Sequence, residues 1–306
     1  MKKYLSYGFV VIAAVCWGYI GVFNRLLASA GVETGNRVFV RNFFSFALLT
    51  LAFALFRRDV FRVRPRHLPI FMGSGLLSIL SLSWVYFNCQ MECSLAVAAI
   101  LLYLAPSVVV VMSAILWKTP ITRRKTAALL LALLGCALVS GVVGGELTGT
   151  PRGLLFGLAS AVLYATYTIF AHYGLRHYGA YAMIYWTFFF AGLGSLLFLD
   201  APALLPGLLT PRGMVGAAGL VLVATVLPYL FYTKGLEGVE SGRAAIIANV
   251  EPVMAALNGV VLFRERLSVW VLLGVVCVLG GVMLLAAEDA KNTKETTKGA
   301  ARHGEA

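Results

Sequence analysis

Glu251 is the one acidic side chain that falls inside a long apolar run rather than at its edge. An acid at the centre of a bilayer costs roughly 2.5–3.5 kcal/mol on insertion scales, so such a residue is expected to face a cavity or a partner. Three roles are open to it: holding a cationic or amino group, exchanging a proton as a coupling carboxylate, or accepting hydrogen bonds that brace a broken helix. The cost of burial favours a role in a cavity over pure bracing. Asn249 and Pro252 stand beside it. Side chains two positions apart on a helix diverge, so Asn249 is expected to reach another helix rather than Glu251. Pro252 has a counterpart in Pro106, each near the middle of its apolar run. There a proline removes a backbone donor and crowds the carbonyl one turn earlier, so both helices should kink. Carbonyls freed at membrane depth must be met by protein or by water in a cavity, and paired prolines of this kind point to a binding region.

Four further side chains are candidates for the same region. Arg41 lies roughly 7–8 Å inside its apolar run if the helix begins near Asn36, from a rise of 1.5 Å per residue. A long cationic side chain at that depth either snorkels to the interface, the reading its length favours, or attracts a carboxylate into the path. Tyr103 sits one turn before Pro106, and Trp17 and Tyr164 are proposed as matched walls, since aromatic faces bind cations and planar groups. Trp84, Tyr185 and Trp186 read instead as interfacial aromatics. Arg37 reads as an anchor, Arg25 and Lys234 as helix-end residues, and His172, Arg176 and His177 as a solvated loop. Nucleophile motifs, phosphate-binding glycine loops and metal-ligand spacings are missing from the sequence, so neither an enzyme activity, a cofactor, a metal nor ATP is expected.

The elements that must position these residues are membrane helices. With 306 residues, 60% of them hydrophobic and only 12% charged, the chain is far more apolar than a soluble domain. Runs apolar on all sides for about 20 residues span a bilayer as helices, whereas barrel strands alternate over about ten. The hydropathy pattern predicts an all-α integral membrane protein with ten transmembrane helices over 5–27, 36–56, 68–88, 94–117, 126–143, 153–172, 180–199, 213–233, 241–263 and 268–287.

The formal charge of +12 does not point to nucleic acid, because the cations sit in short loops between apolar runs, which is how orientation is encoded. Lys2, Lys3, Arg57, Arg58, Arg62, Arg64, Arg66, Lys118, Arg123, Arg124 and Lys125 fall on one side in the first half, against Arg152 on the other. That side is expected to be cytoplasmic, with both termini there and the chain multi-pass in the cell membrane. The amino-terminal run imitates a signal peptide, but its length and Arg25 in place of a small neutral cleavage region favour a retained helix. The five cysteines are scattered through apolar segments and suggest no metal framework. Residues 288–306, polar and charged, read as a disordered cytoplasmic tail.

A displacement of 146 positions lays Ala98-Ala99-Ile100 on Ala244-Ala245-Ile246, Pro106 on Pro252 and Gly135 on Gly281. A displacement of 147 lays Trp17-Gly18 on Tyr164-Ala165 and Phe23 on Phe170. The unit is five helices, with one repeat over 1–145 and the second over 146–287. An odd number of crossings brings the second copy in from the opposite face, giving two inverted five-helix repeats. Such copies can exchange conformations, converting an outward-open state into an inward-open one.

The segments Leu101-Leu102-Tyr103-Leu104-Ala105-Pro106 and Asn249-Val250-Glu251-Pro252-Val253-Met254-Ala255, with Phe263-Arg264-Glu265-Arg266-Leu267-Ser268, resemble the EamA family of the drug/metabolite transporter superfamily. The resemblance covers nearly the whole chain. It implies ten helices in two repeats, fourth and ninth helices that line a central path, and small metabolites as substrates, amino acids among them and often exported. One departure is visible: the Glu that the family carries after the fourth helix matches Glu265 in the second copy, but the first has Thr119.

Together these features predict a secondary transporter, an exporter of amino acids or related amino compounds, working by alternating access with substrate bound near the midplane. Its partners are expected to be a small-molecule substrate and the lipid bilayer, with no nucleic acid; a homodimer is not predicted. The competing readings are an integral-membrane lipid enzyme, which needs clustered His, Asp or Cys near one interface, and a membrane sensor or assembly subunit.

Overall fold

The fold is taken from a computed structural model, which describes residues 2–93, 98, 101–139, 149–263, 269–270 and 272–284. The expected tail 288–306 and Glu265 lie outside these residues.

Helices carry the chain throughout the described residues, with no strand. The first half contains α1 (Lys2–Trp17), α2 (Ile20–Ser29), α3 (Thr34–Phe56), α4 (Leu68–Met72), α5 (Ser81–Glu92), α6 (Ala105–Trp117) and α7 (Arg123–Val139). The second contains α8 (Pro151–Gly174), α9 (Ala180–Ser195), α10 (Ala201–Leu208), α11 (Pro211–Val221), α12 (Leu227–Leu236), α13 (Ser241–Ala248), α14 (Val250–Phe263) and α15 (Leu272–Leu284). Among the described residues, six helical stretches are long and apolar enough to cross a membrane: Tyr4–Ser29, Thr34–Phe56, Pro65–Tyr86, Pro151–Gly174, Ala180–Phe198 and Pro211–Leu236. The expectation of ten spans is therefore met in part, by six among the described residues.

The interruptions follow the chemistry of the sequence. Pro106 and Pro252 have no N–H to offer Leu102 and Ala248, and the helices part just before them, at Tyr103–Leu104 and at Asn249. The expected kinks are thus full breaks, at positions that coincide under the displacement of 146. Wide π-helical stretches also recur, Gly73–Leu80 between α4 and α5 and Leu222–Val226 between α11 and α12. Such bulges gather at functional places in helices.

The most extensive helix packing joins one half to the other. Helix α1 lies along α12, α2 along α11, α3 along α9, α5 and α6 along α8, and α13 along α6. Hydroxyl pairs serve as interhelical glue: Ser74 Oγ and Thr187 Oγ1 are 2.6 Å apart, as are Ser78 Oγ and Thr166 Oγ1. Helices α7 and α15 meet through Gly135 and Gly281, where an added Cβ would run into the backbone of Gly274 or of Ala128.

Candidate functional site

Glu251 begins in the first turn of α14, just past the break at Asn249, and the break between α1 and α2 lies against it. Gly18 makes this approach possible, since a Cβ there would strike Met254 and the backbone carbonyl of Glu251. The carbonyl of Gly18 accepts a hydrogen bond from Asn258 Nδ2 at 3.0 Å, one polar link between the broken first helix and the helix that bears the acid.

These breaks open a chamber of about 560 Å³ lined by Trp17, Arg41, Tyr103, Tyr164 and Glu251, and also by Arg25, Arg37, Tyr86 and Tyr229. That volume lies within the range of about 300–1,000 Å³ usual for small-molecule sites. Arg41 is half-buried in this lining, and its Nε has no hydrogen-bond partner. Trp17 and Tyr164, matched by the repeat, meet edge to face with ring centres 6.5 Å apart. An aromatic wall, an acid and a guanidinium thus face one space, which suits a ligand bearing an ammonium and an acidic group.

The chamber reaches Ala28 and Thr34 at one end of the bundle. Toward the other end it is shut. Trp17 packs on Tyr229 and Tyr232 at 5.4 and 5.2 Å, and Tyr167 packs on Tyr229 at 5.0 Å. The tyrosines are pinned in turn, Tyr167 Oη to Thr233 Oγ1 at 2.6 Å and Tyr232 Oη to Thr168 Oγ1 at 2.9 Å. Only about 10 Å³ of space remains among these rings, no more than about one water-sized probe occupies. Beyond them, buried Lys125 bonds Glu240, which also holds Arg243, and the His172 ring lies 3.8 Å from that of Trp117. Ser6 abuts Gly238, so the start of α1 shares this shut end.

Of the residues singled out in the sequence, Trp17, Arg41, Tyr103, Tyr164 and Glu251 come together in the lining, whereas Pro106, Asn249 and Pro252 do not. All three are buried, and the prolines act through the backbone breaks. Asn249 is the position that the displacement of 146 matches to Tyr103. Its Nδ2 has no hydrogen-bond partner.

Several loop and interface readings are corrected. His172 is half-buried against Trp117 rather than solvated, because α8 carries it past the end of α6. Lys125 is buried in an ion pair, and Tyr185 is buried among Phe46, Phe53 and Phe61 instead of lying at an interface. Arg37 lines the chamber rather than only anchoring a helix end. Tyr229, Tyr232 and Glu240 were not singled out. Tyr232 carried a signal, since it falls on Tyr86 under the displacement of 146.

Comparison with known proteins agrees with this architecture. The profile of the EamA-like transporter family matches residues 5–141 and again 151–287. A protein of Archaeoglobus fulgidus named an uncharacterized transporter is 33% identical over 284 residues, covering 90% of this chain and 94% of that one. YicL of Salmonella typhimurium, named an uncharacterized inner membrane transporter, is 24% identical over 93% of this chain and 96% of its own. A solved crystal structure superposes with a TM-score of 0.72 over 94% of this chain and 98% of the other, and at 19% identity it speaks for the fold alone.

Proposed function

Because this chain belongs to the EamA-like transporter family, we propose that it exports a small amino compound, an amino acid or close relative, by alternating access. The two halves act as inverted five-helix repeats, ten spans in all, with both termini in the cytoplasm of a cell whose membrane the chain crosses. In that orientation the chamber faces outward and the ring of tyrosines closes the inward path. Helix breaks at matching positions, 103–104 and 249, support two units of one design.

The observation that carries this reading is the presence of Glu251 and Arg41 in the lining of one chamber that reaches one end of the bundle and is shut toward the other. Glu251 receives the substrate's ammonium, and Arg41 its carboxylate. Both groups leave water on binding, and each finds an opposite charge, which offsets the cost of desolvation. When substrate leaves, Glu251 is free to take up a proton, so that the carboxylate couples the cycle to a proton gradient. Trp17, Tyr103 and Tyr164 form walls that admit a small side chain.

The test compares metabolites inside and outside cells that express wild-type protein or Glu251→Gln at matched membrane levels. One class of amino compound is expected to redistribute with the wild type and not with the variant. Equal redistribution by both would reduce Glu251 to a brace, and no redistribution by folded protein would sink the transport of amino compounds.

A further inference from the structure

Arg37 and Arg41 are four residues apart on α3, so they stack on one helix face about 6 Å apart along the axis. Both line the chamber. Each is half-buried, and each has an Nε with no hydrogen-bond partner. Among the described residues, Arg37 is held by one nitrogen, its Nη2 donating to Thr34 Oγ1 at 2.7 Å. Among the described residues, neither guanidinium has an ion-pair partner. Arg25, on α2, also lines the space but is engaged in an interaction of its own, so the α3 face presents two cations in a row to a space whose one lining acid is Glu251.

This arrangement sets a charge balance. A neutral amino acid brings one ammonium and one carboxylate, which satisfy Glu251 and Arg41 and leave Arg37 without an anion. A compound with a second acidic group satisfies all three. Guanidinium forks suit planar carboxylates and phosphate oxygens alike. We propose that the preferred substrate is an amino compound with two acidic groups, its ammonium at Glu251, one acid at Arg41 and the second at Arg37. The proposal rests on the reading of this chamber as the binding site of an amino-compound transporter, and it makes Arg37 the residue that sets specificity. A short carbon chain between the two acids covers the step from one guanidinium to the next.

The test uses the full chain in proteoliposomes and counterflow of labelled glutamate, aspartate, phosphoserine and alanine. Wild-type protein is expected to take up at least one of the acidic compounds tenfold or more better than alanine. Comparison of glutamate and aspartate with phosphoserine tells whether the second acid is a carboxylate or a phosphate. Arg37→Gln is expected to lower uptake of the acidic compounds at least tenfold more than it lowers uptake of alanine, and Arg37→Lys to restore part of the preference. Equal handling of alanine and the acidic compounds by the wild type overturns the proposal without any variant. So does an equal loss of both kinds in Arg37→Gln, which would mark a structural role. Movement of alanine alone overturns the diacid while sparing the transporter reading, and movement of no amino compound by folded protein overturns both.

Discussion

Lys125 Nζ lies 2.5 Å from Glu240 Oε1, a bond that ties α7 of the first half to the segment leading into α13 of the second. Arg243 Nε stands 3.4 Å from the other oxygen of the same carboxylate. Lys125 is buried, and stripping the partner from a buried charge costs about 3–5 kcal/mol. In alternating access that cost falls on the conformation in which this end is shut. Glu240→Gln is therefore expected to shift the population toward opening here, since about 1.4 kcal/mol already changes a ratio tenfold. A reporter cysteine at Ala245, 1% exposed between the halves, measures it in a background without the native cysteines. Labelling should be slow with Glu240 present and at least tenfold faster in Glu240→Gln. An unchanged labelling rate with a lowered melting temperature would make the bond structural only.

The tyrosine ring makes a smaller contribution to the same closure. Tyr167→Phe removes the 2.6 Å bond to Thr233 and leaves a buried hydroxyl unsatisfied, at a cost of about 1–3 kcal/mol. Ring packing on Tyr229 survives the change. The expected result is a several-fold rise in Ala245→Cys labelling, less than that caused by Glu240→Gln. Pairing Tyr167→Phe with Thr233→Val should restore slow labelling, because both orphaned groups are then gone. Failure of the pair to recover would show that the hydroxyls do not hold the ring.

Close approach at Gly18 is predicted to be indispensable. A side chain there meets Met254 and the backbone of Glu251, and forcing bulk into a packed contact costs about 1–3 kcal/mol. Gly18→Val should lower the melting temperature and cut transport at least tenfold, because the acid moves with its helix. Gly8 lies on the same helix α1 with open space around it. Gly8→Ala should keep activity and gain roughly 0.5–1 kcal/mol of helix stability. Equal tolerance of both changes would detach Gly18 from the placement of Glu251.

Helical class, the repeat and five of the chamber residues were legible because they depend on local rules. Apolar run length, the missing N–H of Pro106 and Pro252, and the cost of an acid at membrane depth are properties of the sequence itself. Kinks became breaks because the prolines follow Tyr103–Leu104 and Asn249 at equivalent positions, where a turn closes each preceding segment. Lys125 and His172 were misread as loop residues because their partners, Glu240 and Trp117, are 115 and 55 positions away. No spacing rule reaches across that distance. Arg41 was ambiguous for a related reason, since depth along a helix does not say which face a residue occupies, and only the packing of α3 on α9 turns it toward the chamber.

Glu251 itself separates coupling from binding. Glutamine keeps the size of the side chain and cannot exchange a proton. If the carboxylate alternates between a proton and the substrate's ammonium, Glu251→Gln abolishes net flux driven by an imposed pH gradient while exchange of substrate for substrate continues at about tenfold lower affinity, the worth of one lost charge contact of roughly 1.4 kcal/mol. Glu251→Asp keeps the charge but draws it back from the chamber, so it should retain pH-driven flux with weakened binding. Proteoliposomes with equal substrate on both sides and a pH step measure the first quantity, and isotope exchange without a pH step measures the second. Loss of both in Glu251→Gln, with pH-driven flux also absent from the wild type, would assign the residue to the ammonium alone. Retention of both would leave the chamber's acid as a support for the broken helix α14.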